Sequence, residues 1–542
     1  MRAPAARLLP LLLLVGCSSA TAATGLPPPL GARPGGTLRV GLTAPAAVDP
    51  ALDTEPSADL VVRTMCDTLL TTDPATGRLR PGLAASWLVT DGGLKVVLQL
   101  RKDLRFSDGT PLTAEDVKYS LSRLASAAFA SPVAGRLRLV AGYPEVHGDT
   151  VTDNDRDRRL LSGVAAADPH TLEIVLSQPF GAFARTLADP VTAPVSRRAA
   201  ERDPQGFSRQ PVCAGPYRLD RPYRTGDRQL SLVRSAAYRA TVPGLTRGGA
   251  GYADRIDVRL YPTAAAAAAA QVGGAVDVAP ARPKDSQRVV EAPDGRLEYV
   301  GLATGTGAFG RAEVRRALSL ALSRRDLVAD VFPGTRVPAR GFVPAGTGEG
   351  RPCADVPPDG DVPAALALLR RAGVSLRGVR TSLAFNDEFR NKDLAYAVAR
   401  QWYRAFGLVA VPTPLTYQEF LARGTGQRGF EGAFRYSWEG RDVDDYLRPL
   451  FGTDGILRDN FARFSDPEVD DTLSRRAAKA TDPADRSLAY RKVADLVCAA
   501  MPMIPLTEGL SRWLLAPSVG SAATSFVDTS SGRPLLREAF LR

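Results

Sequence analysis

Hydrophobic positions along the chain switch repeatedly between a period of two and a period near 3.6, and the switches mark its elements. In TLRVGL, starting at Thr37, apolar residues fall on alternate positions, the pattern of a half-buried strand. GLKVVLQLRKDLRF (93–106) repeats it through Leu94, Val96, Leu98 and Leu100 and breaks at the turn residues Ser107-Asp108-Gly109. Thr113 then reads as a helix N-cap, with Glu115 and Asp116 where the helix dipole favours anions, and Val117, Ser120, Leu121 and Leu124 follow at helical spacing. HTLEIVLSQPF (170–180) predicts a further strand stopped by Pro179. CAGPYRLDR (213–221) and QLSLVRS (229–235) predict a hairpin pair entered tightly through Gly215 and Pro216. The alanine run 264–270, capped by Thr263 and closed by Gly273-Gly274, predicts a short helix feeding a strand at Ala275–Val278. VRRALSLALSRRDLVADVF (314–332) reads as a helix pair. DVPAALALLRRAG (361–373) and LAYAVARQWYRAFG (394–407) read as single helices, the latter followed by the strand LVAVPT. No repeat of 20–50 residues is evident, and interleaved strands and helices indicate α/β layers.

The first apolar run, Leu8–Val15, changes the picture of where the chain lives. As a helix it would rise only about 12 Å, against a bilayer core of roughly 30 Å, so it does not span. With Arg2 and Arg7 before it and a small-residue, proline-rich stretch after it, residues 1–16 read as a secretory signal peptide. Leu14-Val15-Gly16-Cys17 resembles the bacterial lipobox, so Cys17 is expected to carry the acyl groups that anchor the mature protein to the outer face of the cytoplasmic membrane. Residues 17–36 are expected to be a flexible tether.

At 542 residues the chain is long enough for several sub-domains. Its 69 basic and 58 acidic residues give a charge of +11, and losing Arg2 and Arg7 with the signal leaves +9. The charges are interleaved, with no block of five or six like residues, so nucleic-acid binding is not expected. Besides Cys17 there are four cysteines, Cys66, Cys213, Cys353 and Cys498. In an exported protein they favour two disulfides over four buried thiols. Of the three pairings, which the sequence alone does not choose between, Cys66–Cys213 with Cys353–Cys498 is taken forward. No C-x-x-C spacing occurs, and His147 and His170, both read as turn or loop residues, are the two histidines of the chain. Without H-E-x-x-H, G-x-S-x-G, S-x-x-K or a phosphate-cradling loop, a lipid-anchored hydrolase is disfavoured, and no cofactor or metal site is expected.

The order of motifs resembles a known family. The run from CDTLLTTDPATGRLRPGLAASW through FSDGTPLTAEDVKYSLSRL (66–124) is similar to the signature of extracytoplasmic solute-binding proteins of the peptide/nickel class, family 5, the receptors of ABC importers. The likeness continues in PVCAGPYRL (211–219), YPTAAAAAAAQVGGAVDVAP (261–280), VRRALSLALSRRDLV (314–328), AALALLRRAGV (364–374) and the segment 461–506. The resemblance implies an α/β, two-lobed periplasmic-binding-protein-like fold (class II, cluster C-like) with three sub-domains and a hinge cleft. A core sub-domain of lobe 1 would comprise 37–55, 206–285 and 507–542. An inserted sub-domain would be 56–205, and lobe 2 would be 286–506. Most motif residues have structural readings: Asp108, Gly109, Thr113 and Asp116 shape a turn and cap, and Arg315 and Asp326 read as an ion pair or solvated helix face.

The implied function is capture of a peptide or similar extended solute in the cleft, by a monomer that delivers it to membrane permease subunits. The alternative is a lipid-anchored sensor of a chelated metal or sugar. In peptide-binding members an aspartate shortly after a tryptophan anchors the peptide amine. The matching stretch is FRYSWEGRDVDDYL (434–447): Trp438 aligns, Glu439-Gly440-Arg441 stands where the anchor is expected, and Asp442 and Asp444 align further on. Expected ligand contacts are therefore Trp438, Tyr436, Glu439, Asp442 and Asp444, with Phe309 and Asp49 as further candidates. Either Glu439 or Asp442 holds an amine, or the solute has none.

Overall fold

The computed structural model describes residues 35–52, 55–74, 76–148, 160–238, 251–282, 284–285, 288–305, 307–387, 390–521, 526–529 and 531–542. The expected signal peptide, most of the tether, and Cys17 lie outside the described residues. Three hydrophobic cores divide the chain. The first gathers Leu38, Val40 and Leu42 with Ile256, Val258, Trp513 and Leu515, so both ends of the described chain share one core. The second, from Leu69 to Val191 with Ala51 and Ala214, fills the inserted sub-domain. The third runs from Leu297 to Leu506.

An eleven-stranded sheet passes through both lobes. On the lobe 2 side, Val409–Leu415, Arg380–Asn386 and Ala433–Glu439 lead to Val289–Leu302. On the lobe 1 side, Val278–Pro280, Thr37–Thr43, Arg255–Tyr261, Gln229–Arg234 and Tyr217–Leu219 lead away from Met503–Leu515. The two long strands 289–302 and 503–515 pair antiparallel along most of their length and carry the chain between lobes. Their ladder is interrupted between Pro293 and Leu297, where Gly295 takes φ +79°, a conformation that favours glycine. Ala292 still packs in the first core and Leu297 already in the third, so this bulge is the crossing point. On the return, the change falls between Leu506 and Trp513.

These packing boundaries differ from the expected ones. Helix Pro56–Met65 buries Leu60, Val61, Val62 and Met65 in the lobe 1 core, and Val195, Ala199 and Ala200 join them. Both segments were expected in the insertion, but their apolar faces match the first sheet. Within the insertion, Ala84–Thr90, Lys95–Leu100, Thr171–Val175 and Val164–Asp168 form a four-stranded antiparallel sheet in that order. The alternation read from the sequence places Val96, Leu98 and Leu100 inside. Helix Ala114–Ala125 packs over this sheet, and its Asp116 carboxylate accepts from the Thr113 amide at 3.0 Å and hydroxyl at 2.9 Å.

Two disulfides join Cys66 to Cys213, with Cα atoms 5.1 Å apart, and Cys353 to Cys498, 5.5 Å apart. The strand expected from Ala275 begins only at Val278, because Asp277 turns to receive Arg39 at 2.6 Å. Arg315 also departs from its reading. It is 6% exposed and donates to the carbonyls of Phe309 at 2.8 Å, Gly310 at 3.0 Å and Ala500, while Asp326 stays in solvent. Backbone oxygens thus satisfy the guanidinium. Among the described residues no helix is long and apolar enough to cross a membrane, and no cluster of three His, Cys, Asp or Glu side chains is set to hold a metal.

Candidate functional site

Strand Ala433–Glu439 ends at a tight turn that delivers the candidate residues to the boundary between lobes. A Cβ on Gly440 would lie 2.7 Å from Asp445 Cβ and 2.8 Å from the Tyr446 ring, so a residue without a side chain is needed there. The Tyr446 hydroxyl receives the Gly440 amide at 3.1 Å and also bonds the Gly295 carbonyl, tying the turn to the crossing-point bulge. Asp445 receives the amides of Arg441 at 2.8 Å and Asp442 at 3.3 Å, while Asp442 receives those of Asp444 at 2.8 Å and Asp445 at 3.2 Å. Carboxylates thus satisfy the open amides at the start of helix Asp444–Phe451.

This turn closes one side of a cavity of about 60 Å³ between the lobes. From lobe 2 it is lined by Arg441, Asp442 and Asp445, and from lobe 1 and its insertion by Arg63, Arg136, Arg185 and Asp189, with Thr72 and Thr186. The charges pair across the gap. Arg441 reaches Asp189 at 2.6 Å and Asp59 at 3.3 Å, Arg136 lies 3.7 Å from Asp445, and Arg185 lies 3.8 Å from Asp442. Arg136 also stands 3.6 Å from Asp189. Burial acts to raise the pKa of Asp59, but Arg63, Arg441 and Arg533 outweigh it and hold the carboxyl well below the usual range. Asp442 moves the other way: burial and the neighbouring Asp445 push it up to about 7 against the pull of Arg185. A small-molecule pocket occupies roughly 300–1,000 Å³, so this cavity admits a ligand of that class only when the lobes move apart.

Of the residues expected to touch ligand, Asp442 lines this cavity. Trp438 stands behind it, half-buried, and donates its indole N–H to the Asp445 carbonyl at 2.6 Å. Tyr436 stacks on Phe420 at 5.2 Å and meets Tyr299 edge-on, on the flank of the lobe 2 core. The others have different jobs. Glu439 is exposed and pairs with Arg296 at 3.3 Å on the neighbouring strand. Asp444 is buried against Arg448 at 3.2 Å and the Tyr490 hydroxyl at 2.9 Å. Phe309 is 4% exposed in the lobe 2 core. Asp49 is fully buried, held by Arg123 at 2.6 Å and Ser208 at 2.7 Å. Sequence reasoning missed Arg136, Arg185, Asp189 and Asp59. They come from three stretches, at 59, 136 and 185–189, with no shared motif, and only folding brings them to one gap.

Two long strands joining two lobes around a charged cleft are the frame of a solute receptor, and residues 78–456 match the bacterial extracellular solute-binding proteins, family 5 Middle. The chain belongs to that family. The glutathione-binding protein GsiB of Escherichia coli (strain K12) is 28% identical over 445 residues, covering 79% of this chain and 80% of GsiB. Among solved structures, the unliganded open form of the periplasmic murein tripeptide-binding protein MppA superposes with a TM-score of 0.79. It is 22% identical, with 93% of this chain and 97% of that one covered. Clavulanic acid biosynthesis oligopeptide binding protein 2 gives 0.78 at 24% identity, with 94% and 96% covered. The two-lobed periplasmic-binding-protein fold of this family is therefore that of the present chain, and solute binding is the activity that the family's description names.

Proposed function

We propose that this protein is the capture subunit of an ABC importer, anchored outside the cytoplasmic membrane through Cys17, and that it takes a peptide or similar extended small solute between its lobes for delivery to a permease. The observation that carries the reading is the inter-lobe cavity, whose two walls each present guanidinium and carboxylate groups. Such a lining suits a solute that bears both charges, as a peptide does at its ends. The relatives named for glutathione, murein tripeptide and oligopeptide are consistent with it. Of the two carboxylates considered for an amine, Asp442 faces the gap and Glu439 pairs on the sheet surface, so Asp442 is the proposed anchor.

Trp438 lies one bond network away, through Asp445, and reports on the site. Titrating the purified mature protein with di- to pentapeptides and glutathione should change tryptophan fluorescence saturably, and isothermal calorimetry should give a matching stoichiometry of one. A flat response to every peptide and to glutathione, with a response to a sugar or metal chelate instead, would move the protein to the sensor reading.

A further inference from the structure

Arg441 belongs to lobe 2, yet it ion-pairs with Asp59 and Asp189 of lobe 1. Asp189 and Asp59 keep only 7% and 5% of their side chains exposed, whereas Arg441 keeps 35%. Asp59 has two further guanidiniums, Arg63 at 2.8 Å and Arg533 at 3.4 Å. Asp189 has one other, Arg136, at 3.6 Å and beyond hydrogen-bond reach. A carboxylate withdrawn from water and left without a cation is costly. From lobe 1 Asp189 receives the Val191 amide at 3.3 Å and a looser pairing with Arg136, which leaves room for a closer positive group. The group that fills it comes from the other lobe on a long, partly solvated side chain with a route back to water.

We propose that Asp189, backed by Asp59, is a binding site for a basic side chain of the solute, a guanidinium or primary ammonium, and that Arg441 is its built-in occupant, displaced when such a solute enters. The inference rests on the cleft being the solute site and adds to it a cationic position on lobe 1, separate from Asp442 on lobe 2. The class of solute it favours is a short peptide carrying arginine or lysine. An occupant held in place nine-tenths of the time lowers the apparent affinity of its competitor about tenfold. Arg441 therefore sets a threshold: a cationic group enters only by outbidding it, at about that tenfold cost.

The test compares Ala-Arg-Ala with Ala-citrulline-Ala, its neutral isostere, and Ala-Ala-Ala, by calorimetry on the full mature protein. Arg441→Ala should raise the preference for Ala-Arg-Ala over Ala-citrulline-Ala and Ala-Ala-Ala about tenfold relative to the parent. Adding Asp189→Asn should erase that gain. An equal change for all three peptides, or a loss for Ala-Arg-Ala, overturns the proposal while leaving peptide capture intact. If none of the three binds, peptide capture falls, and a second measurement decides the site. Ethylguanidinium at millimolar concentration should raise the melting temperature of Arg441→Ala and of Arg441→Gln saturably, with no such rise from ethylurea or in the Arg441→Ala/Asp189→Asn double variant. Absence of that rise overturns the proposal independently of any peptide.

Discussion

Arg324 is sealed in the lobe 2 core without a carboxylate partner. It donates to the carbonyls of Pro505 at 2.7 Å, Ser319 at 3.1 Å, Leu322 at 3.2 Å and Pro357 at 3.2 Å, and to the Ser319 hydroxyl at 2.8 Å. Burial pushes its pKa down to about 9, which leaves it charged at neutral pH. Three segments thus converge on one guanidinium, and Arg324→Met should cost about 3 kcal/mol, because the stranded carbonyls keep their desolvation penalty. Urea unfolding of the isolated variant measures it. Asp442 gives a pH signature. Its carboxyl titrates near 7 in the folded protein and near 3.8 when unfolded, so the native state holds a proton that the unfolded chain has lost between those values. The stability from this group is complete below about pH 4 and is lost as pH rises through 7. Asp442→Asn keeps an oxygen for the two amides and removes the ionisation. It should melt later than the parent at pH 8, by about 1–2 kcal/mol, and match it at pH 4. A parallel shift at both pH values would show that packing, not charge, dominates.

At the scale of elements, the disulfides stand where segments join. Cys66 closes helix Pro56–Met65 at the point where the chain leaves the lobe 1 core, and Cys213 lies where it returns toward strand Tyr217–Leu219. Each bond spans a long stretch, 147 residues for Cys66–Cys213 and 145 for Cys353–Cys498, and such cross-links typically stabilise by about 2–4 kcal/mol. Replacing Cys66 and Cys213 together by serine should lower the melting temperature and make residues of the insertion exchange amide hydrogen faster than those of lobe 2. Uniform loss of protection across all three cores would show that the bond does not act locally. Glycine at 440 acts on the same scale, since the turn fits only without a side chain and sets which residues of helix Asp444–Phe451 face the gap.

The whole molecule has two lobes connected by a pair of strands, so relative motion of the lobes bends a narrow region around the 293–297 bulge. Opposing this motion are ion pairs across the gap, of which Arg136–Asp445 at 3.7 Å and Arg185–Asp442 at 3.8 Å involve side chains that water reaches. The screening length falls from about 10 Å at 0.1 M salt to about 3 Å at 1 M, so these pairs weaken with salt. Small-angle scattering of the unliganded protein should give a larger radius of gyration at 1 M sodium chloride than at low salt, and saturating peptide should reverse the change. A radius indifferent to both would remove the cleft's electrostatic closure from the account.

The sequence by itself determined the elements and their order. Alternating residues such as Val96, Leu98 and Leu100 became inner faces, Thr113 and Thr263 became caps, and Gly407 ended its helix in the left-handed region, because these choices depend on neighbours a few positions apart. Six ordered motifs also sufficed for the family. Trp438 and Asp442 were legible only because a family motif passes through them. What tertiary structure alone decided is which charges meet. Asp189 and Arg441 are 252 positions apart and Asp59 and Arg441 382, with nothing local to couple them. The same holds for Asp49, drawn by Arg123 into the lobe 1 interior, and for the helix at 56–65, claimed by the first sheet. A short-range pattern fixes how a segment buries its apolar face. The partner of a charge is set by long-range packing, which a single chain of letters does not encode in any one stretch.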